Sequence, residues 1–146
     1  MKIIFLDIDG VLNSSSGVGP YISDMEIDKL LLLKRLIDTS KVDGVVVTSD
    51  RRYSKVDMKD KSSAFSNYNI PVIGETRFPN EDDLDDNRGK QILDYLSSSE
   101  EEIEKILILD DNDHGISNIF EDEFILVNRR YGLNEDVYLR GVEILG

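Results

Sequence analysis

The chain has 146 residues, 40% of them hydrophobic, and carries 17 Lys+Arg against 30 Asp+Glu for a net charge of −13. That length suits one domain with a core of its own. So acidic a surface does not by itself hold nucleic acid or an anionic membrane, partners bound largely through basic side chains. The absence of cysteine excludes disulfides, thiolate nucleophiles and Cys-bound metals, and a single histidine, His114, leaves little room for Ser-His-Asp chemistry or a multi-His zinc site.

The first apolar run, Ile3-Ile4-Phe5-Leu6, is cut by Asp7, too early for a signal peptide, and no stretch approaches the ~20 residues of a membrane span. A cytoplasmic protein without membrane contact is the expectation. An unbroken Ile/Phe/Leu run reads as a strand buried on both faces, as at the centre of a parallel sheet. Asp7 and Asp9 follow it, then Gly10; side chains two apart on extended chain share a side, so the pair faces one volume beyond the strand's carboxyl end. In open α/β sheets ligands bind there. Two carboxylates so close are tolerable with a cation between them or a proton on one.

Ser14 to Pro20 reads as a loop, a mobile flap over the end of the first strand, without the third glycine and lysine of a phosphate-binding fingerprint. Ser23 and Glu26 suggest a capping box, and Ile27, Leu30, Leu31, Lys34 and Ile37 predict a helix over 24–38. Val45-Val46-Val47 repeats the plan of the first strand and ends in Thr48-Ser49-Asp50-Arg51-Arg52, where a hydroxyl can donate to a phosphate oxygen and a guanidinium can add charge. A weak, polar helical pattern covers 54–68, and Ile70 to Gly74 is a short strand whose Pro71 suits a sheet edge.

The acidic stretch from Pro79 to Asn87 reads as a solvated loop. Asn87 caps a helix over 88–96 with Ile92, Leu93 and Leu96 inward. Its first turn holds Arg88 and Lys90, against the helix dipole, which suggests another task for these cations. Ile106 to Leu109 gives the plan a third time and ends in Asp110-Asp111; Phe124 to Val127 is a last strand, and Asn134 caps a closing helix through Leu145. The fold class that follows is α/β: a three-layer, Rossmann-like parallel sheet with helices on both faces, in one domain over 1–146. Parallel strands all end at one edge, so Asp7, Asp9, Thr48, Asp110 and Asp111 gather there. Clustered carboxylate oxygens select Mg²⁺, and with a hydroxyl and one or two cations they make a phosphoryl-transfer site.

These residues resemble the haloacid dehalogenase (HAD) superfamily of phosphotransferases. Asp7-Ile8-Asp9-Gly10-Val11-Leu12 looks like its first motif, Thr48 its second, Arg88 or Lys90 its third and Asp110-Asp111 its fourth, in the family's order. Phe5 to Ser14, Arg88-Gly89 and Gly132-Leu133 look most like the small capless domains found alone or in RNA-repair proteins, although Asp50-Arg51-Arg52 departs from their pattern after the second motif. The resemblance implies a phosphomonoester hydrolase with Asp7 as nucleophile and Asp9 as general acid and base. It implies Mg²⁺ held by Asp7, the main-chain carbonyl of Asp9 and Asp110, with Asp111 as a further metal-side acid, and phosphate bound by Thr48, Ser49 and Arg88 or Lys90. The stretches between motifs leave no room for a cap domain, so the site is open and suits a bulky substrate, a polynucleotide end or a phosphoprotein, or a lid from a partner subunit. The charge admits nucleic acid only as a substrate end, and the oligomeric state stays open.

Three other readings compete. A receiver domain also binds Mg²⁺ with acids, but it places its phosphoacceptor on the middle strand, where Thr48 stands here. A calcium loop over Asp110, Asn112, Gly115 and Glu121 needs a helix where Ile106 to Leu109 reads as strand. A catalytically inactive HAD-like binding domain differs from an enzyme only in a turnover assay. His114 reads as a residue beside the site rather than a ligand, since Mg²⁺ prefers oxygen.

Overall fold

The computed structural model describes residues 1–17, 19–48, 55–77 and 87–146, with backbone alone at 55–57. Ser49, Asp50-Arg51-Arg52 and nearly all of the acidic loop before Asn87 therefore lie outside the described residues. A five-stranded sheet forms the centre: β1 (Lys2–Leu6), β4 (Gly44–Val47), β5 (Val72–Glu75), β6 (Lys105–Asp110) and β7 (Phe124–Leu126), ordered β5-β4-β1-β6-β7 and parallel throughout. Between them run α1 (Ile27–Ser40), α2 (Lys55–Asn67) and α3 (Arg88–Ser98), with α4 (Glu135–Leu145) last. The layered parallel α/β architecture is the one the sequence predicts, with Pro71 leading into an edge strand.

The period of two along the central strands divides the core. Ile4 and Leu6, with Val45, Val47, Leu107 and Leu109, face residues of α1, α2 and α4, whereas Ile3 and Phe5, with Val46 and Ile108, face Ile92 of α3. Burying a side chain of this size contributes about 1.5–3 kcal/mol, and β1, apolar on both sides, contributes to both layers. This is why it occupies the middle of the sheet.

Four expectations change. Ser23 is not a helix cap: Ser23 and Asp24 have φ of 51° and 63° and form the turn between two short antiparallel strands, β2 (Tyr21–Ile22) and β3 (Met25–Glu26). Positive φ at both turn positions matches the right-handed strand twist, and α1 then starts at Ile27 after Glu26, without a side-chain cap. Leu31, 54% exposed, faces outward while Leu30, Leu33, Leu36 and Ile37 are buried. Leu93, 46% exposed, also turns out, because the inner face of α3 is taken by Arg88, Gly89, Gln91 and Ile92.

The flap is anchored over its described residues. The amide of Ser15 donates to the carbonyl of Arg129 at 2.9 Å, and Ser14 Oγ donates to Glu26 Oε2 at 2.9 Å. Glu26 is itself paired with Lys29 at 3.4 Å in a buried setting. Asp110 closes a strand rather than a helix, which removes the calcium-loop reading. Among the described residues no helix is long and apolar enough to cross a membrane.

Candidate active site

Backbone registration brings the site residues together. Asp7 N–H donates to the carbonyl of Leu109 at 2.9 Å, Thr48 N–H to that of Leu6 at 2.9 Å, and Val127 N–H to that of Asp110 at 2.8 Å. The ends of β4, β1, β6 and β7 are thereby locked side by side. Thr48 lies buried on one flank of Asp7 and Asp110 on the other.

Carboxylate oxygens of Asp7, Asp110 and Asp111 lie within 4.8 Å of one another. Asp7 and Asp110 are buried and Asp111 half-buried. Arg88, buried at the start of α3, bridges two of them, with Nη1 at 2.6 Å from Asp110 Oδ2 and 3.2 Å from Asp7 Oδ1. These contacts outweigh the unfavourable dipole at that helix end, where Asn87 Oδ1 accepts from the amide of Lys90 at 3.0 Å. Gly89 permits the approach: a Cβ there would stand 2.6 Å from the carbonyl oxygen of Gly115.

One buried guanidinium among three acids, with the exposed Arg129 reaching Asp111 from outside, leaves the described cluster short of positive charge. Burial, then the Asp110 carboxylate, push the Asp7 carboxyl up to about 8, against the pull of Arg88. Asp110 is also raised, by burial, with Arg88 opposing. Ionising both is costly unless a cation joins them. The all-oxygen donor set and its spacing fit one hard ion such as Mg²⁺, whose bonds to oxygen are about 2.0–2.1 Å.

Above the acids opens a cleft of about 270 Å³, lined by Asp7, Asp9, Arg88, Asp111, His114 and Arg129 among others. Asp9 is exposed in it, and its Oδ1 accepts from Asn13 Nδ2 at 3.0 Å while Asn13 Oδ1 accepts from the amide of Gly10 at 2.9 Å. The group expected of Asp9 on the metal side is its main-chain carbonyl, and its side chain lines the cleft, held by Asn13. Lys90 is exposed on α3 and outside the cleft lining. Ser49 lies outside the described residues.

Two residues went unread in the sequence. Asn13 sits just before the flap and orients Asp9; its signal is the short spacing from Asp9, which lets a tight turn close on itself. Arg129 reaches Asp111 Oδ2 with Nη2 at 3.0 Å. It follows the last parallel strand, so the rule applied to the other strands, that they all discharge at one edge, points to it as well.

A parallel α/β sheet with paired acids after its first strand, acids after the fourth parallel strand in chain order and a cation at the preceding helix start defines a HAD-type hydrolase. The family model described as the HAD domain in Swiss Army Knife RNA repair proteins matches residues 3–137, and the chain belongs to that family. No curated protein and no solved structure matches the chain.

Proposed function

We propose that this protein is a Mg²⁺-dependent phosphomonoester hydrolase that works through an aspartyl-phosphate on Asp7 and takes the end of a polynucleotide. The observation that carries this reading is the meeting of Asp7, Asp110 and Asp111 within 4.8 Å around a single buried arginine. The family's description as a domain of RNA repair proteins supports an RNA end as substrate.

Asp7, Asp110 and Asp111 would hold the ion, whose charge would favour the ionised form of Asp7, its proton leaving to solvent, and would offset the repulsion between that carboxylate and the phosphate. Asp7 attacks phosphorus in line with the leaving oxygen, so one difficult displacement becomes two easier ones. Asp9, exposed in the cleft and held by Asn13, protonates the leaving oxygen and then takes a proton from the water that hydrolyses the acyl-phosphate. Arg88 and Thr48 stabilise charge on the equatorial oxygens. Asp110 and Asp111 would hold the ion together with Asp7.

Among the described residues the insertion between β1 and α1 is the small ribbon of β2 and β3, too short for a cap domain, which supports a cleft open to a large leaving group. The test is a panel of phosphomonoesters, including p-nitrophenyl phosphate and end-phosphorylated oligonucleotides, assayed with Mg²⁺ and with chelator. Turnover is expected only with the metal, and Asp7→Asn is expected to abolish it in a folded protein. Full activity of Asp7→Asn would refute the nucleophile assignment.

A further inference from the structure

Arg129 is poorly explained as a structural residue. Its side chain is 68% exposed while that of Asp111 is 11% exposed, and ion pairs open to water on one side contribute little to stability. Its backbone, in contrast, is fixed. The Arg129 carbonyl accepts from Ser15, the Arg130 carbonyl from Ser16 Oγ, and Asn128 caps the turn by accepting from the amides of Arg130, at 3.0 Å, and Gly132, at 2.8 Å. A long cationic side chain is thus mounted on a hydrogen-bonded turn at the mouth of the cleft, in a protein of net charge −13.

The other arginine lining the cleft among the described residues, Arg88, is buried on Asp7 and Asp110 and belongs to the reacting end. Arg129 stands farther out, at the exposed rim of the cleft. A polynucleotide end differs from a small phosphoester in carrying a second phosphate one nucleotide away, and a guanidinium matches its two unesterified oxygens in a bidentate fork.

We propose that Arg129 is a subsite for the phosphodiester next to the terminal phosphate, exchanging Asp111 for that group when substrate enters. This assignment rests on the polynucleotide phosphatase reading above. It also resolves the conflict between an acidic chain and a nucleic acid substrate: one placed guanidinium at the rim does locally what the overall field does not.

The test compares wild type, Arg129→Ala, Arg129→Lys and Arg130→Ala on p-nitrophenyl phosphate and on single-stranded oligoribonucleotides phosphorylated at either end, with Mg²⁺ and at several salt concentrations. Arg130→Ala removes the same charge from the same turn without touching the cleft lining. For the oligonucleotide, Arg129→Ala is expected to raise KM about tenfold with kcat within about twofold, the loss of one charge-assisted contact, and to reduce the salt slope by about one. Arg129→Lys is expected to recover part of the loss. Because Arg129 also touches Asp111, any loss common to both substrates is read on p-nitrophenyl phosphate, and the oligonucleotide loss is expected to exceed it about tenfold, while KM for Arg130→Ala stays within about twofold of wild type. Equal losses on both substrates, equal effects of the two alanine variants, or no effect of Arg129→Ala would overturn the subsite. A wild type that cleaves p-nitrophenyl phosphate but no oligonucleotide overturns it and leaves the phosphatase reading standing, whereas a wild type inert on both overturns the two together.

Discussion

Gly10 has φ of +81°, and a Cβ built on it would stand 2.4 Å from Asp111 Oδ2, so this position is closed to other residues by conformation and by space at once. The requirement belongs to the site, because the atom in the way is a candidate metal ligand. Gly10→Ala is therefore expected to cost about 1–3 kcal/mol of stability and to displace Asp111, weakening Mg²⁺ binding beyond what the stability loss explains. Thermal melts with calorimetric Mg²⁺ titration check this, and unchanged Mg²⁺ affinity would show that Asp111 is not a ligand. Asn13 makes a different claim, since it touches Asp9 rather than the acid cluster. Asn13→Ala is expected to lower kcat about tenfold, less than the roughly 10²–10⁴-fold of a whole general acid because Asp9 itself remains, and to leave Mg²⁺ affinity unchanged. A kcat within twofold of wild type would mean that Asp9 needs no such support.

Two helices of the same length begin with the same device, which separates capping from positioning. Asn87 accepts from Lys90 N and Asn134 from Val137 N, each at 3.0 Å, yet α3 carries Arg88 into the site, whereas α4 packs on α1 and the opposite face of the sheet. Replacing either cap by alanine is expected to cost about 1 kcal/mol. Only Asn87→Ala is expected to reduce kcat, because only there does a frayed first turn loosen the arginine on Asp7 and Asp110; equal activity of the two variants, measured beside matched denaturant midpoints, would disconnect the helix start from catalysis. These elements also show what the sequence discloses. Strands apolar on both faces are legible because burial leaves little choice of residue, and both asparagine caps are legible because their side chains act within three residues. The hairpin at Ser23-Asp24 was hidden because its turn lacks the usual glycine, and the outward turn of Leu31 and Leu93 because four-residue spacing fixes a face only once the neighbouring layer is known. Arg88 was narrowed to a pair with Lys90 by its misfit to the helix dipole. Choosing between them required the position of Asp110, a contact 22 residues away.

Over the whole molecule, the balance of charge ties stability to pH and to metal. Asp7 rises from 3.8 in the free side chain to about 8 in the fold, so the folded state binds its proton more tightly than the unfolded chain. The stability this contributes is fully present below about pH 4 and is lost as pH rises through about 8. It runs opposite to ordinary acid denaturation. In chelator, Asp7→Asn, which keeps the shape and never ionises, is expected to be more stable than wild type, by an amount that grows between those limits at about 1.4 kcal/mol for each pH unit. Adding Mg²⁺ to the wild type reverses the trend: the ion binds the ionised carboxylates, so it raises the melting midpoint strongly near pH 8 and weakly near pH 5, where it must displace protons. Melting curves of both proteins across that range, with Mg²⁺ and with chelator, decide the matter. A wild type whose Mg²⁺ response is as large at pH 5 as at pH 8 would mean that the acids are ionised before the ion arrives, with Arg88 and Arg129 offsetting part of their charge.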